Sequence, residues 1–223
     1  MDIKVKVKKE EKQYKKSRII FIMDRSGSMG NIGTEAESGF NTFVEDQAAE
    51  PGEATMTLVE FDNKIEVTYQ DLDIRQVPKY VIQPRGMTAL YDAIGKTVTE
   101  YLATDDPEVK TIVQILTDGE ENASQYYSQE AVKSLLEKVQ AENGWDVMFV
   151  GANIDAKQYA SNLGISGAHA SGFSYDSAGA AAVMKSMSLG ASVARGFSKL
   201  YDDGTVMNMA SLDMTKVYSD QAK

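Results

Sequence analysis

The sequence predicts a doubly wound, Rossmann-like α/β fold: a mostly parallel central sheet, one antiparallel edge strand and helices on both faces. Three observations predict it. Continuous apolar runs of strand length recur, as in "IIFIM" at 19–23, "TIVQIL" at 111–116 and "DVMFV" at 146–150. Segments with apolar residues at helical spacing lie between them. One further pair of runs alternates apolar with polar residues across a short polar turn. Strands that are apolar at every position are buried on both faces, which is the condition of a parallel sheet covered by helices. Alternating runs joined by a tight turn read as a hairpin, and a hairpin here supplies the antiparallel edge.

The elements follow in order. Arg18–Met23 is an isoleucine-rich buried strand. Thr34–Ala49 places Phe40, Phe43 and Val44 on one helical face, and Pro51-Gly52 ends that helix. Ala54–Phe61 and Ile65–Leu72 form the hairpin, with Asp62-Asn63 at its tip. A loop with Pro78, Pro84 and Gly86 leads to a helix whose stripe is Leu90, Ala93, Ile94, Val98 and Leu102. Thr111–Leu116 is the next buried strand, and Ser128–Ala141 the next helix, closed by Asn143-Gly144. Asp146–Val150 is a strand broken by Gly151, with Trp145 as its packing anchor. A short helix over Ala156–Leu163 and a long one over Ala178–Lys199 complete the pattern. We expect a basic, flexible arm at 1–16, a domain at 17–200 and a tail at 201–223 to which the sequence assigns no structure.

Composition narrows the function classes. The apolar fraction of 43% builds a full core, and the absence of cysteine excludes disulfides, thiolate zinc sites and cysteine nucleophiles. A net charge of −10 argues against nucleic-acid binding by the whole chain, although the first sixteen residues hold seven lysines. No apolar run approaches the about 18–20 residues that span a bilayer, so a cytoplasmic protein without a membrane segment is expected. The late methionines, Met184, Met187, Met207, Met209 and Met214, suit core or adaptable surface packing, and the single histidine, His169, a loop role.

Ligands of such sheets bind outside the carboxyl ends of the strands. Three polar clusters fall at that edge: Asp24, Ser26 and Ser28 after the first strand, Thr88 before a helix, and Asp118 after the strand at 111–116. Carboxylates and neutral hydroxyls are hard oxygen donors suited to Mg²⁺ or Mn²⁺. Serine and threonine hydroxyls add no charge to offset the ion's own, and donation partly through water leaves a coordination position for a partner's carboxylate. Against this stand a plain helix-capping turn at "DRSGS" and a turn at "TDG". A phosphate cradle does not fit the glycine spacing, and an aspartyl phosphotransferase lacks its second acid where Ser26 stands.

"DRSGSM" at 24–29, the threonine of "GMTALYDA" at 86–93 and the aspartate of "LTDGEEN" at 116–122 resemble the von Willebrand factor type A domain with its metal-ion-dependent adhesion site. The resemblance covers roughly residues 17–200, and "DVMFVGANIDAKQYASNLGI" is similar to a late segment of bacterial and phage members. It implies that Ser26, Ser28 and Thr88 ligate directly, with Asp24 and Asp118 acting mostly through water. It implies Mg²⁺, with Mn²⁺ or Ca²⁺ as substitutes, a protein partner presenting Asp or Glu, no catalysis, and a monomer whose late helices move with ligand. Met87 stands where relatives often carry a second glycine. Met29, Met87, Glu120 and Glu121 are expected at the partner-binding rim. Two alternatives remain: an assembly scaffold with an incidental metal, and a metal-assisted phosphoester hydrolase.

Overall fold

The computed structural model describes residues 14–152, 154–173, 177–197, 199–200, 206–210 and 212–221. Its centre is a six-stranded sheet of order β3-β2-β1-β4-β5-β6. The strands are β1 (Lys16–Asp24), β2 (Glu53–Phe61), β3 (Ile65–Asp73), β4 (Val109–Thr117), β5 (Asp146–Ala152) and β6 (Ala170–Phe173). Parallel pairing joins β1 to β2 and β4, β4 to β5 and β5 to β6, whereas β3 runs antiparallel to β2. The doubly wound sheet with one antiparallel edge is therefore the fold.

Successive β1 residues point to opposite faces, and this splits the core in two. Ile19, Phe21 and Met23 face α1 (Gly33–Ala49) and α5 (Ser177–Ala194), where Phe21 meets the rings of Phe40 and Phe43 edge-on at 4.9 and 5.5 Å. Ile20 and Ile22 face α2 (Leu90–Leu102) and α3 (Gln129–Glu142), packing with Ile94, Val98 and Leu136. β3 hangs beyond this cover, so most of its residues are exposed.

Each expected helix and strand is present within a few residues of its expected bounds, except that the last long helix stops at Ala194 instead of Lys199. The chain leaves it through Gly196 at φ +91°, a conformation that suits glycine. Four strands or α-helices among the described residues have no counterpart in the sequence reading. β6 is only "ASGF", with no β-branched residue, and it is a strand because β5 offers it a hydrogen-bonding edge. α6 (Met214–Gln221) packs on α5 and β6 with Met214 and Val217 fully buried. Its start is legible after the fact: the Asp213 carboxylate accepts from the amides of Thr215 and Lys216 at 2.9 and 3.3 Å, a helix cap. The tail thus contributes to the core, and its β8 (Val206–Met207) pairs with β7 (Lys199–Leu200), which immediately precedes the tail. The basic arm lies outside the described residues up to position 13.

Met184, Met187, Met207 and Met214 are core residues. Trp145 is buried, its Nε1 donating to Asp105 at 2.8 Å, and His169 ends a short 3₁₀ turn at Gly167–His169 instead of lying in a loop, with its Nε2 3.2 Å from the Met209 carbonyl. α1 and α5 approach closely at Gly39, where a Cβ would stand 2.3 Å from Met184 Cγ and 2.8 Å from its Cβ. Gly39→Ala is expected to destabilise the fold by about 1–3 kcal/mol through overpacking, against a helix-propensity gain of about 1 kcal/mol. Chemical denaturation measures it, and an unchanged midpoint would contradict this packing.

Candidate metal centre

β1 and β4 are adjacent and parallel, so both deliver their carboxyl ends to one edge of the sheet. Asp24 is the last residue of β1, and Asp118 directly follows β4. The strand ends are tied together: Thr117 Oγ1 donates to Asp24 Oδ2 at 2.6 Å, and the Ser26 amide donates to Asp24 Oδ1 at 2.6 Å. Ser26 and Ser28 hydroxyls lie 3.1 Å apart, and Ser28 Oγ donates to Asp118 Oδ1 at 2.7 Å. A Cβ placed on Gly119 would stand 3.4 Å from Thr88 Oγ1 and 3.6 Å from Ser28 Oγ. The five side chains from three distant stretches of sequence therefore converge. Asp24, Ser26, Thr88 and Asp118 are buried, and Ser28 is half-buried at the mouth.

Thr88 is held from both sides. Its amide donates to Asn122 Oδ1 at 2.9 Å, and its carbonyl accepts from the Asn122 and Ala123 amides at 3.0 and 3.2 Å. The preceding loop is bonded to the first one, with the Gly27 amide on the Gly86 carbonyl at 3.1 Å. Gly86 has φ +71°, and a Cβ there would strike Asn63 Oδ1 at 2.3 Å. The positive φ calls for glycine at this position, and any larger residue would also have to displace the Asn63 amide.

Arg25 and Arg85 fasten these loops to the tip of the β2–β3 hairpin. Arg25 is 5% exposed; its Nε bonds Asp62 Oδ2 at 3.2 Å, and its guanidinium lies 2.8 Å from Glu66 and 3.8 Å from Glu60. Arg85 Nε bonds the same Asp62 oxygen at 2.8 Å, and its amide donates to the Arg25 carbonyl at 2.8 Å. Burial alone would raise the Asp62 carboxyl, but Arg85, the Lys64 amide and Arg25 together hold it below the ordinary carboxylate range. A depressed carboxyl stabilises the fold above its unfolded value of about 3.9 and loses that contribution as pH falls through the folded value. Stability is expected to fall on acidification below about pH 4, and Asp62→Asn to flatten that fall at the cost of stability at pH 7. Denaturation midpoints from pH 2.5 to 7 test this; an equally steep acid limb in the variant would refute it.

The Asp24 carboxyl is pushed up to about 6 by burial, against the opposing bonds from Thr117 and Ser26, with Asp118 adding to the rise. Asp24 makes no ion pair among the described residues, so a cationic occupant is what its buried charge lacks. The donor set of three hydroxyls and two carboxylates is that of a hard divalent ion, and the gap beside Gly119 is rimmed by two of its oxygens. The residues thus fit the group. Among the described residues there is no cluster of three or more His, Asp or Glu placed for a metal, which leaves the hydroxyl-rich edge as the candidate.

The rim differs from expectation at two positions. Met29 is fully buried in the core under α1 and is not a rim residue, because a short 3₁₀ turn at Gly27–Asn31 turns its side chain inward. Glu121 is half-buried, and its carboxylate accepts from the amides of Tyr91, Ala123 and Ser124 and from the Ser124 hydroxyl, at 2.7–3.0 Å. It therefore fixes the loop after β4 onto the start of α2. Met87, 54% exposed, and Glu120 remain outward. Sequence reading missed Asp92, which is buried and accepts three amide bonds at 2.8 Å from Gln125, Tyr126 and Tyr127. An acid in the first turn of α2 is the signal that marks it as an acceptor of backbone amides.

No family model and no curated relative matches the chain. Solved structures do. Proximal thread matrix protein 1 from the mussel byssus superposes at TM-score 0.60 and 20% identity, over 78% of this chain and 46% of that one. That protein has also been solved with zinc in its MIDAS motif, where it matches at TM-score 0.58 and 20% identity, over 78% and 45%. The manganese-loaded TRAP protein of Plasmodium vivax matches at TM-score 0.54 and 16% identity, over 72% and 69%. The vWF domain of the type V pili tip protein Mfa5 from Porphyromonas gingivalis matches at TM-score 0.61 and 11% identity, over 86% and 100%. The chain spans less than half the length of the mussel protein.

Proposed function

We propose that this chain, whose fold is that of the von Willebrand factor type A domain, is a divalent-metal-dependent protein-binding module without catalysis. Asp24, Ser26, Ser28, Thr88 and Asp118 would hold Mg²⁺, for which Mn²⁺ or Ca²⁺ can substitute. When bound, the ion supplies a Lewis-acidic position for an aspartate or glutamate of the partner protein. The observation that carries the reading is the convergence of these five oxygen-bearing side chains at the joined ends of β1 and β4.

The chain's own residues do the preparatory work. Thr117 and the Ser26 amide orient the Asp24 carboxylate. Asn122 and Glu121 hold the Thr88 loop and the loop after β4 in register. Such prior fixation lowers the ordering cost of binding, which is the general source of affinity in a rigid site. Zinc and manganese in two structures of the same fold support a divalent occupant. The uncrowded rim at Met87 and Glu120 supports access by a macromolecule.

The test is retention of protein partners from a cell lysate on the immobilised chain, in Mg²⁺ and in EDTA, with Ser26→Ala/Ser28→Ala as control. Retention is expected only with Mg²⁺ and intact serines. Partners that stay bound in EDTA would replace this reading with the scaffold one.

A further inference from the structure

A groove opens beside the candidate metal centre, between the β2–β3 ribbon and α2. Its mouth, of about 260 Å³, is lined by Asn63, Lys64, Ile65, Lys96, Tyr126 and Tyr127. Ile65 and Lys96 also line a second, much smaller recess together with Val67 and Tyr101. The groove begins where the Thr88 loop ends. Ala89, the residue after Thr88, lines it and donates its amide to the Asp62 carbonyl at 2.9 Å. Asn63, on the opposite wall, is the side chain packed against Gly86.

Two properties of the groove point to a ligand. The first is exposed apolar surface. Tyr126, in the lining, is 85% exposed, Val67, in the adjoining recess, is 50% exposed, and Met87, 54% exposed, directly precedes Thr88. Large apolar side chains left in water at one corner mark an interaction surface. The second is charge. The chain carries −10, yet Lys64 and Lys96 stand on facing walls, and neither has an ion pair among the described residues. The neighbouring acid does not neutralise them, because the Asp92 carboxylate is committed to three backbone amides. Arg25 and Arg85 nearby are both committed to Asp62 and Glu66. Glu100, one helical turn beyond Lys96, lines the smaller recess and not the mouth beside Thr88.

We propose that this groove seats the stretch of the partner protein adjoining its metal-seeking carboxylate, and that this stretch is an extended acidic segment bearing an apolar or aromatic side chain. The proposal rests on the metal-dependent reading above. Lys64 and Lys96 take the additional carboxylates; Tyr126 and Ile65 take the apolar side chain. Charge complementarity of this kind sets specificity and the rate of encounter more than raw affinity.

The experiment uses the full ¹⁵N-labelled chain and the peptide acetyl-Glu-Glu-Phe-Glu-Glu-amide, with acetyl-Gln-Gln-Phe-Gln-Gln-amide as control. In Mg²⁺ the acidic peptide is expected to shift the amide resonances of Lys64, Lys96 and Tyr126. Lys64→Glu/Lys96→Glu is expected to weaken that binding about tenfold or more while leaving Mn²⁺ affinity and the melting curve unchanged. Mg²⁺-dependent binding that survives the charge reversal, or equal binding of the glutamine peptide, would overturn the groove and leave the metal reading standing. Shifts in the groove that are the same in EDTA and in Ser26→Ala/Ser28→Ala would overturn the metal reading, and the groove's role as its extension with it. No shift at millimolar peptide would overturn the proposal outright.

Discussion

Alanine at both Ser26 and Ser28 is expected to weaken Mn²⁺ binding by about 100-fold or more, a larger loss than the roughly 10–100-fold typical of removing groups outside the coordination shell. The two hydroxyls lie 3.1 Å apart, and Ser28 also bonds Asp118, so the pair links the first loop to the residue after β4. Their removal deletes two neutral donors without altering charge. It leaves Asp24 oriented by Thr117 and by a backbone amide that alanine keeps. The fold should therefore survive, with a melting temperature within a few degrees of the parent, because Ser28 is half-exposed and neither hydroxyl fills core volume. Calorimetric titration with Mn²⁺ reads the affinity and circular dichroism the melting. Unchanged affinity would remove these serines from the site.

The second large effect is on the loops beneath the site. Arg25→Ala is expected to destabilise the protein by about 3–5 kcal/mol, the range for breaking a buried charge network from one side. That corresponds to a fall of roughly 10 °C in melting temperature for a domain of this size. The Arg25 side chain is 6% exposed, facing Glu60 at 10% and Asp62 at 2%. Without it Asp62 keeps Arg85, and Glu60 keeps the Tyr80 and Thr68 hydroxyls, so the network is weakened and not wholly orphaned. Arg25→Lys restores the charge but not the fork that reaches three carboxylates, and it should recover only part of the loss. Because the Arg25 guanidinium ties the loop that carries Ser26 and Ser28 to Asp62 and Glu66, weaker Mn²⁺ binding should accompany the loss of stability. A variant as stable as the parent would show that the hairpin does not depend on this arginine.

The metal-site candidates were legible because each lies at a sharp boundary between an apolar run and small polar residues. Asp24 ends "IIFIM", Asp118 ends "TIVQIL", and Thr88 precedes the stripe of α2. Their mutual distances were not legible, since they depend on β1 and β4 being neighbours in the sheet. Met29 misled because its motif position says nothing of the direction its side chain takes once a 3₁₀ turn forms. Glu121 misled because a charged loop residue reads as solvated until the amides that it accepts are placed around it. β6 was invisible because its strand character comes from its neighbour and not from its own residues.

By itself the sequence determined the alternation of buried strands with amphipathic helices, and hence the class of fold and the edge at which ligands bind. Periodicity and punctuation are local properties, and the chain states them directly. Only the tertiary structure decided which carboxylates gather with the hydroxyls at the joined strand ends, as Asp24 and Asp118 do, and which are spent on loop amides, as Asp92 and Glu121 are. It alone joined Lys64, Lys96 and Tyr126 into one groove. Those outcomes depend on contacts between residues dozens of positions apart, which form only when the sheet brings their loops together.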